Sequence, residues 1–384
     1  MSANTRYDAI VVGVGAMGSA TCSQLARRGA RVLGLEQFGI PHSLGSSHGE
    51  SRMIRLCYYE HPDYVPLLHR AYQLWDELEK ATGSHLLFKT GGIYMGDANS
   101  EFIRGTLRAA REHQLPHEEL SHEQCRQRYP QFDLPNEYSG VFEPNAGFLI
   151  PERAVAAFAE QALHHGAELH GFEPVIEWSS DPRGATVRTS RSVYQSDRII
   201  FCGGAWSERL LGDVGVNLIV TRQVLGWVWP REPALFELNT LPVWAIDHPD
   251  GTQHYGFPML PAGSHGRPGF KIAHHFHGAP TTADTINRLP QPGDEEDFRW
   301  ALRQFIPKAD GQLLSMAVCM YTNSPDSHFI VDHHPRHDRV LIACGFSGHG
   351  FKFAGVIGEA LADLAMNGRS DLPIGFLGLH RFAK

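Results

Sequence analysis

Four stretches of the chain carry residue types at spacings that suit chemistry. In the first, Gly13-Val14-Gly15-Ala16-Met17-Gly18, Gly13 makes a tight turn, Gly15 lets backbone amides approach a pyrophosphate, and Gly18 lets the following helix pack on its strand. Glu36, 18 residues beyond the last glycine, can accept hydrogen bonds from both hydroxyls of an adenosine ribose. The second stretch is the polar loop 37–51 and the basic pair Arg52 and Arg55. Three apart, both arginines face one way if a helix begins here and can then grip one anionic group; a solvated surface pair is the alternative. The third is Phe270-Lys271-Ile272-Ala273-His274-His275, where strand alternation puts Lys271, Ala273 and His275 on one face. A lysine turned inward shifts its pKa and does chemistry, whereas one on an edge strand stays in water. The fourth is Gly345-Phe-Ser-Gly348-His-Gly350-Phe-Lys352, a glycine-rich turn at a helix start that presents amides to an anion or a polarised ring oxygen.

The elements that must hold these residues can be read from periodicity. Ala9 to Val12 is an apolar strand before the glycine turn, and Arg31 to Glu36 is a second strand after the helix, so the opening is a βαβ dinucleotide-binding unit. From Tyr64 to Ala81 the spacing of Val65, Leu67, Leu68, Ala71, Leu74, Trp75 and Leu78 is helical. Segments 86–96 and 140–150 read as strands around a helical pattern over 101–128, and Pro151 opens a helix that stops at Gly166. Short strands follow to Phe201, where Gly203-Gly204-Ala205 offers a second close approach for a cofactor. Strand-like runs dominate 216–277, a proline- and acid-rich linker spans 289–297, and a helix is expected over 298–306. Strands and a last helix then return to the α/β style.

Composition excludes several classes. The 384 residues suit two intertwined domains, and 42% hydrophobic with 20% charged residues is ordinary for a soluble globular chain. A net charge of −8 without a basic run argues against nucleic acid. No apolar run reaches the roughly 18 residues of a membrane helix and no leader is evident, which gives a cytoplasmic protein as the expectation. Six scattered cysteines read as reduced thiols. The 23 histidines include the dense runs 274–277 and 333–337, but neither has an acid at ligand spacing, so no metal is expected.

Three long motifs carry a resemblance. PHSLGSSHGESRMIR, CMYTNSPDSHFIVD and GFSGHGFKF together resemble the monomeric sarcosine oxidase and N-methyltryptophan oxidase family of flavin amine oxidases, in order over nearly the whole chain. The resemblance implies an α/β (α+β overall) fold. A Rossmann-like FAD-binding domain (1–85, 146–215 and 325–384) would be interleaved with a substrate domain (86–145 and 216–324) on a mostly antiparallel sheet. It implies FAD bound covalently through Cys319, with Gly13, Gly15, Gly18, Glu36, His48, Gly348, Gly350 and Lys352 around the cofactor. Arg52 matches the arginine over the flavin ring, and Lys271 the lysine near flavin N5 linked to oxygen reduction. Arg55 and Lys352 match the pair that holds the substrate carboxylate, while His275, Tyr255 and Tyr321 match pocket residues. Two departures bear on substrate size. The stretch 261–269 is longer than the usual connection, and Ser47 stands where many relatives carry a second histidine.

The reaction so implied is oxidative demethylation of a sarcosine-type secondary amino acid by O2, giving formaldehyde, the primary amino acid and hydrogen peroxide, in a monomer with only small-molecule partners. N-methyltryptophan, pipecolate or a fructosyl amino acid are alternative substrates within the family. A flavin dehydrogenase with another electron acceptor and a non-catalytic FAD or NAD module are readings of other classes. The module has little need for Arg52, Arg55, Lys271 and Lys352 together.

Overall fold

The computed structural model describes residues 6–212, 214–261, 266–276 and 278–383. Strand Arg6–Val12 lies in the middle of an eight-stranded sheet, parallel to Val32–Leu35 on one side and Val193–Phe201 on the other. Glu168–His170 and His337–Cys344 extend the parallel part, while Val175–Asp181, Gly184–Thr189 and Ile330–His334 pair antiparallel. Ala9 and Val11 belong to one hydrophobic core and Ile10 and Val12 to another. Both faces of the strand are thus covered, which is why it reads as an unbroken apolar run. Helix Ala16–Arg27 packs against both Pro151–His164 and Ala354–Asn367 over the first of these cores.

A second, nine-stranded sheet holds Gly92–Asp97, Tyr138–Glu143 and the strands from Ile219–Trp229 to Gln312–Asn323. It is antiparallel as expected, apart from one parallel pairing between Gly92–Asp97 and Val243–Asp247. A small three-stranded sheet joins Arg52–Ile54, Gly147–Leu149 and Leu87–Lys89.

Three sequence expectations need correction. The Arg52–Arg55 pair does not open a helix: Arg52–Ile54 is a strand antiparallel to Gly147–Leu149, and the two guanidiniums are held by different partners. The pattern over 101–128 splits into Glu101–Glu112 and His122–Arg128 around strand Glu118–Leu120, since Pro116 cannot continue the first helix. The 289–297 segment is mostly helix, because Pro292 suits a first turn and Gln291 with Asp294 forms a reciprocal cap. The helix therefore runs Pro292–Phe305 and carries Asp297 in its second turn. His277 and residues 262–265 of the 261–269 connection lie outside the described residues.

Candidate active site

Gly13 has φ +90°, and a Cβ there would lie 2.5 Å from the Cys202 carbonyl oxygen, so the turn requires glycine. A Cβ at Gly18 would collide with the Gly13 carbonyl, which is the close packing of helix on turn that the spacing implied. At Gly15 a Cβ would meet only Ser47 Oγ, at 3.7 Å, and this residue faces a cleft. The cleft has about 1360 Å³ of space with the open solvent at its mouth included. It runs from Gly13, Gly15 and Glu36 past Gly203 to Tyr321 and Gly348.

The Glu36 carboxylate accepts from the Val14 and Phe38 amides at 2.8 and 3.0 Å. Burial works against its charge, but the His42 side chain and these amides hold its pKa below the usual carboxylate value. As an ionised acceptor it retains capacity for ribose hydroxyls. Gly348 has φ +80° and its missing Cβ makes room for the Tyr321 ring, while Gly350 makes room for the Phe346 ring at 2.5 Å. Those two glycines are needed for packing around the cleft floor as well as for backbone reach.

A second pocket, of about 640 Å³, shares Arg52, Tyr321, Gly348 and Phe351 with the cleft. Arg55, Tyr255, His275 and Lys352 all line it, so the structure gathers these expected site residues from distant parts of the chain. His275 Nδ1 lies 3.3 Å from the Tyr321 hydroxyl. Burial raises the phenol pKa values of Tyr255 and Tyr321, so both stay neutral donors. Lys352 is 5% exposed; its ammonium donates to the His349 carbonyl oxygen at 2.7 Å. Burial first, and Arg55 second, pull its pKa down to about 7.

Glu60 is a pocket residue that sequence reasoning missed. It accepts two hydrogen bonds from Arg55 Nη2, at 2.8 and 2.7 Å, and burial of both side chains is nearly complete. Burial opposes the Arg55 charge, but Glu60 outweighs it and raises the guanidinium further. The signal was an acid five residues after Arg55 in a Tyr58-Tyr59-Glu60 run with no helical or strand pattern.

Lys271 points inward, 3% exposed, which settles the choice left open by alternation. Its Nζ donates to the carbonyl oxygens of Gly49 (2.5 Å) and Ser51 (2.9 Å) and to Ser51 Oγ (2.9 Å), and it lies 4.7 Å from the Phe257 ring centroid. Burial, then Arg52, push its pKa well below the usual lysine value. Arg52 donates to the carbonyl oxygens of Ser46 and Ser51. Both cations are therefore tied to loop 46–51, and Glu152 fixes that loop by accepting from the Gly49 and Glu50 amides at 2.6 and 3.1 Å. His48 is buried beside them, its pKa pushed down to about 3 by burial and by Arg52. Cys319 is 2% exposed, with Arg52 Nη2 3.6 Å from its sulfur, while Met320, Tyr321 and Thr322 line the cleft.

A glycine-turned dinucleotide cleft leading to buried cations and neutral phenols defines an oxidoreductase site of the flavin-binding kind. The chain belongs to the family described as DAO, FAD dependent oxidoreductase, which it matches over residues 8–364. Within it, the chain is 41% identical to the monomeric sarcosine oxidase of Streptomyces avermitilis over 98% of each chain. It is 35% identical to the N-methyl-L-tryptophan oxidase of Escherichia coli, over 98% of this chain and all of the other. Among solved structures, NikD, an amino acid oxidase essential for nikkomycin biosynthesis, shares the fold with a TM-score of 0.84 at 24% identity, over 97% of this chain and 98% of the other. Glycine oxidase from Geobacillus kaustophilus shares it with a TM-score of 0.79 at 20% identity, again over 97% and 98%.

Proposed function

We propose that the chain is an FAD-dependent oxidase of N-methyl amino acids. It would convert a sarcosine-type secondary amine, O2 and water into the primary amino acid, formaldehyde and hydrogen peroxide. The observation that carries this reading is the pocket in which Arg55 and Lys352 sit together beside His275, Tyr255 and Tyr321, opening onto the glycine-lined cleft. FAD, when bound, supplies the hydride acceptor and the route of electrons to oxygen. Gly13, Gly15, Gly18 and Glu36 would hold its ADP half, His48, Gly348, Gly350 and Lys352 would lie around the ring, and Arg52 would lie over it.

A substrate carboxylate gains a point charge from Lys352 and a planar donor from Arg55, and so competes with Glu60 for the guanidinium. Holding the carboxylate at one end orients the amine and its methyl group at the other. The aromatic, desolvated walls favour the neutral amine that can lose hydride. Lys271, its three N–H donors taken by Gly49 and Ser51, would act through its positive charge where oxygen gains negative charge.

We assign Cys319 as the covalent anchor. Its position beneath Arg52 supports this, and the linkage requires the guanidinium to yield its place over the sulfur. The domain division proposed is 1–85, 146–215 and 325–384 for cofactor and 86–145 and 216–324 for substrate, in a cytoplasmic monomer. A bulkier substrate such as N-methyltryptophan is the second reading, favoured by the aromatic pocket walls Tyr59, Tyr94 and Phe102.

The test has two parts. Acid precipitation of the yellow protein leaves colour in the pellet if the flavin is covalent, and colour in the supernatant refutes the anchor. Peroxide release with sarcosine against N-methyl-L-tryptophan then ranks the two substrates, and no peroxide from either refutes the oxidase assignment.

A further inference from the structure

Folding supplies the acid that the histidine-rich run 274–277 lacks in sequence. His254 and His274 sit opposite each other on the paired strands Gln253–Phe257 and Phe270–His275, with ring centroids 4.1 Å apart. Their neighbours Tyr255 and His275 line the substrate pocket, so the two imidazoles project from the other face of the sheet. There helix Pro292–Phe305 brings Asp297, whose carboxylate oxygens lie 3.0 and 3.1 Å from His274 Nδ1 and 3.7 Å from His254 Nε2.

The hydrogen bonds around the cluster limit where its protons can sit. Thr252 Oγ1 donates its only proton to Asp250, at 2.7 Å. It must therefore accept from His274 Nε2, 2.8 Å away, and His274 Nδ1 is the nitrogen left facing Asp297. His254 Nδ1 is engaged with His248 Nε2 at 2.7 Å, which leaves His254 Nε2 also facing the carboxylate. His254 is 1% exposed and this nitrogen has no hydrogen-bond partner among the described residues. A proton on His274 Nδ1 would satisfy Asp297 but leave the buried His254 nitrogen unpaired. One cation among the three groups satisfies all of them.

We propose that His254, His274 and Asp297 form a binding site for a divalent transition-metal cation of the zinc class, on the side of the sheet away from the substrate pocket. The separations of 3.0 and 3.7 Å from the Asp297 carboxylate to the two imidazole nitrogens are those of ligands each about 2.0–2.2 Å from a shared zinc ion. Thr252 and His248 hold the outer nitrogens of the two imidazoles, the arrangement that fixes tautomer and orientation in ligating histidines. The two rings lie 13° from parallel, so binding an ion requires the His274 ring to turn from the orientation in which Nε2 meets Thr252. The Asp297 side chain is 43% exposed, which gives the ion a way in from solvent. A bound ion would cross-link two strands of the second sheet to helix Pro292–Phe305.

The test uses the full chain with its flavin, stripped with a chelator and titrated with zinc chloride by calorimetry, with elemental analysis after dialysis. One equivalent per chain is expected. Asp297→Asn and His274→Gln should each weaken binding by at least about 100-fold, and Thr252→Val by about 10- to 100-fold. X-ray absorption at the zinc edge should show an imidazole-containing nitrogen and oxygen shell. Absence of stoichiometric binding to the unaltered chain overturns the proposal. So does equal affinity in the Asp297→Asn and His274→Gln variants, each checked for native circular dichroism. None of these readouts depends on turnover, so they stand apart from the substrate assignment.

Discussion

At the scale of single residues, the proposed roles of Lys271 and Arg55 divide the work between oxygen and substrate. Lys271→Met removes the cation held over Gly49 and Ser51 while leaving the carboxylate-binding pair intact. Reoxidation by O2 should slow by orders of magnitude while anaerobic flavin reduction is largely spared; equal loss in both half-reactions by stopped flow would exclude the role. Arg55→Ala removes a charge-assisted pair of about 2–5 kcal/mol. KM for an amino-acid substrate should rise about 30-fold at the lower end of that range, and an unchanged KM would refute the assignment. Lys352 gives a pH dependence. Its folded pKa of about 7 means that its charge in the free enzyme is lost as pH rises through that value, so kcat/KM should fall over the same limb. In the unfolded chain the amine titrates near its ordinary 10.5. Between about 7 and 10.5 the unfolded state therefore holds a proton the folded state has shed, and this group's contribution to stability rises with pH. Lys352→Met should flatten both trends in pH-dependent kinetics and urea titrations.

Among the elements, loop 46–51 is the part whose placement depends on a distant anchor. Gly49 and Glu50 have φ of +96° and +70°, and Glu50 is not a residue that adopts this region readily. Glu152, in the first turn of helix Pro151–His164, holds both amides through its carboxylate. Glu152→Ala should cost about 1–3 kcal/mol by leaving these amides unmatched, measured by chemical denaturation. It should also disturb Lys271 and Arg52 together, since both donate to this loop's carbonyl oxygens. Nothing in the sequence pairs Glu152 with Gly49, because the contact depends on the packing of the two segments. The helix Tyr64–Thr82 was legible because its apolar spacing is local and its buried face is the one the period names. The Arg52–Ile54 strand was not, because its short pairing with Gly147–Leu149 leaves no alternating pattern long enough to read.

For the whole molecule, the chain passes repeatedly between two sheets, and the site lies where they meet. The glycine fingerprint and the inward Lys271 were readable because each is local: a turn needing positive φ, and an alternation in one strand. Glu60 across from Arg55 and Asp297 across from His274 were not, since these acids owe their partners to loop and helix packing. Sequence order also has a cost in time. Strand Arg6–Val12 pairs on one side with Val193–Phe201, about 190 residues later. A ribosome adding about 5–20 residues per second needs about 10–40 s to make that stretch. For that time a strand destined to be buried on both faces has one edge unpaired. Its first protection must come from helix Ala16–Arg27 and strand Val32–Leu35, which are made within seconds of it. The glycine loop is therefore formed early, and the cofactor cleft can close only after Val193–Phe201 has been made.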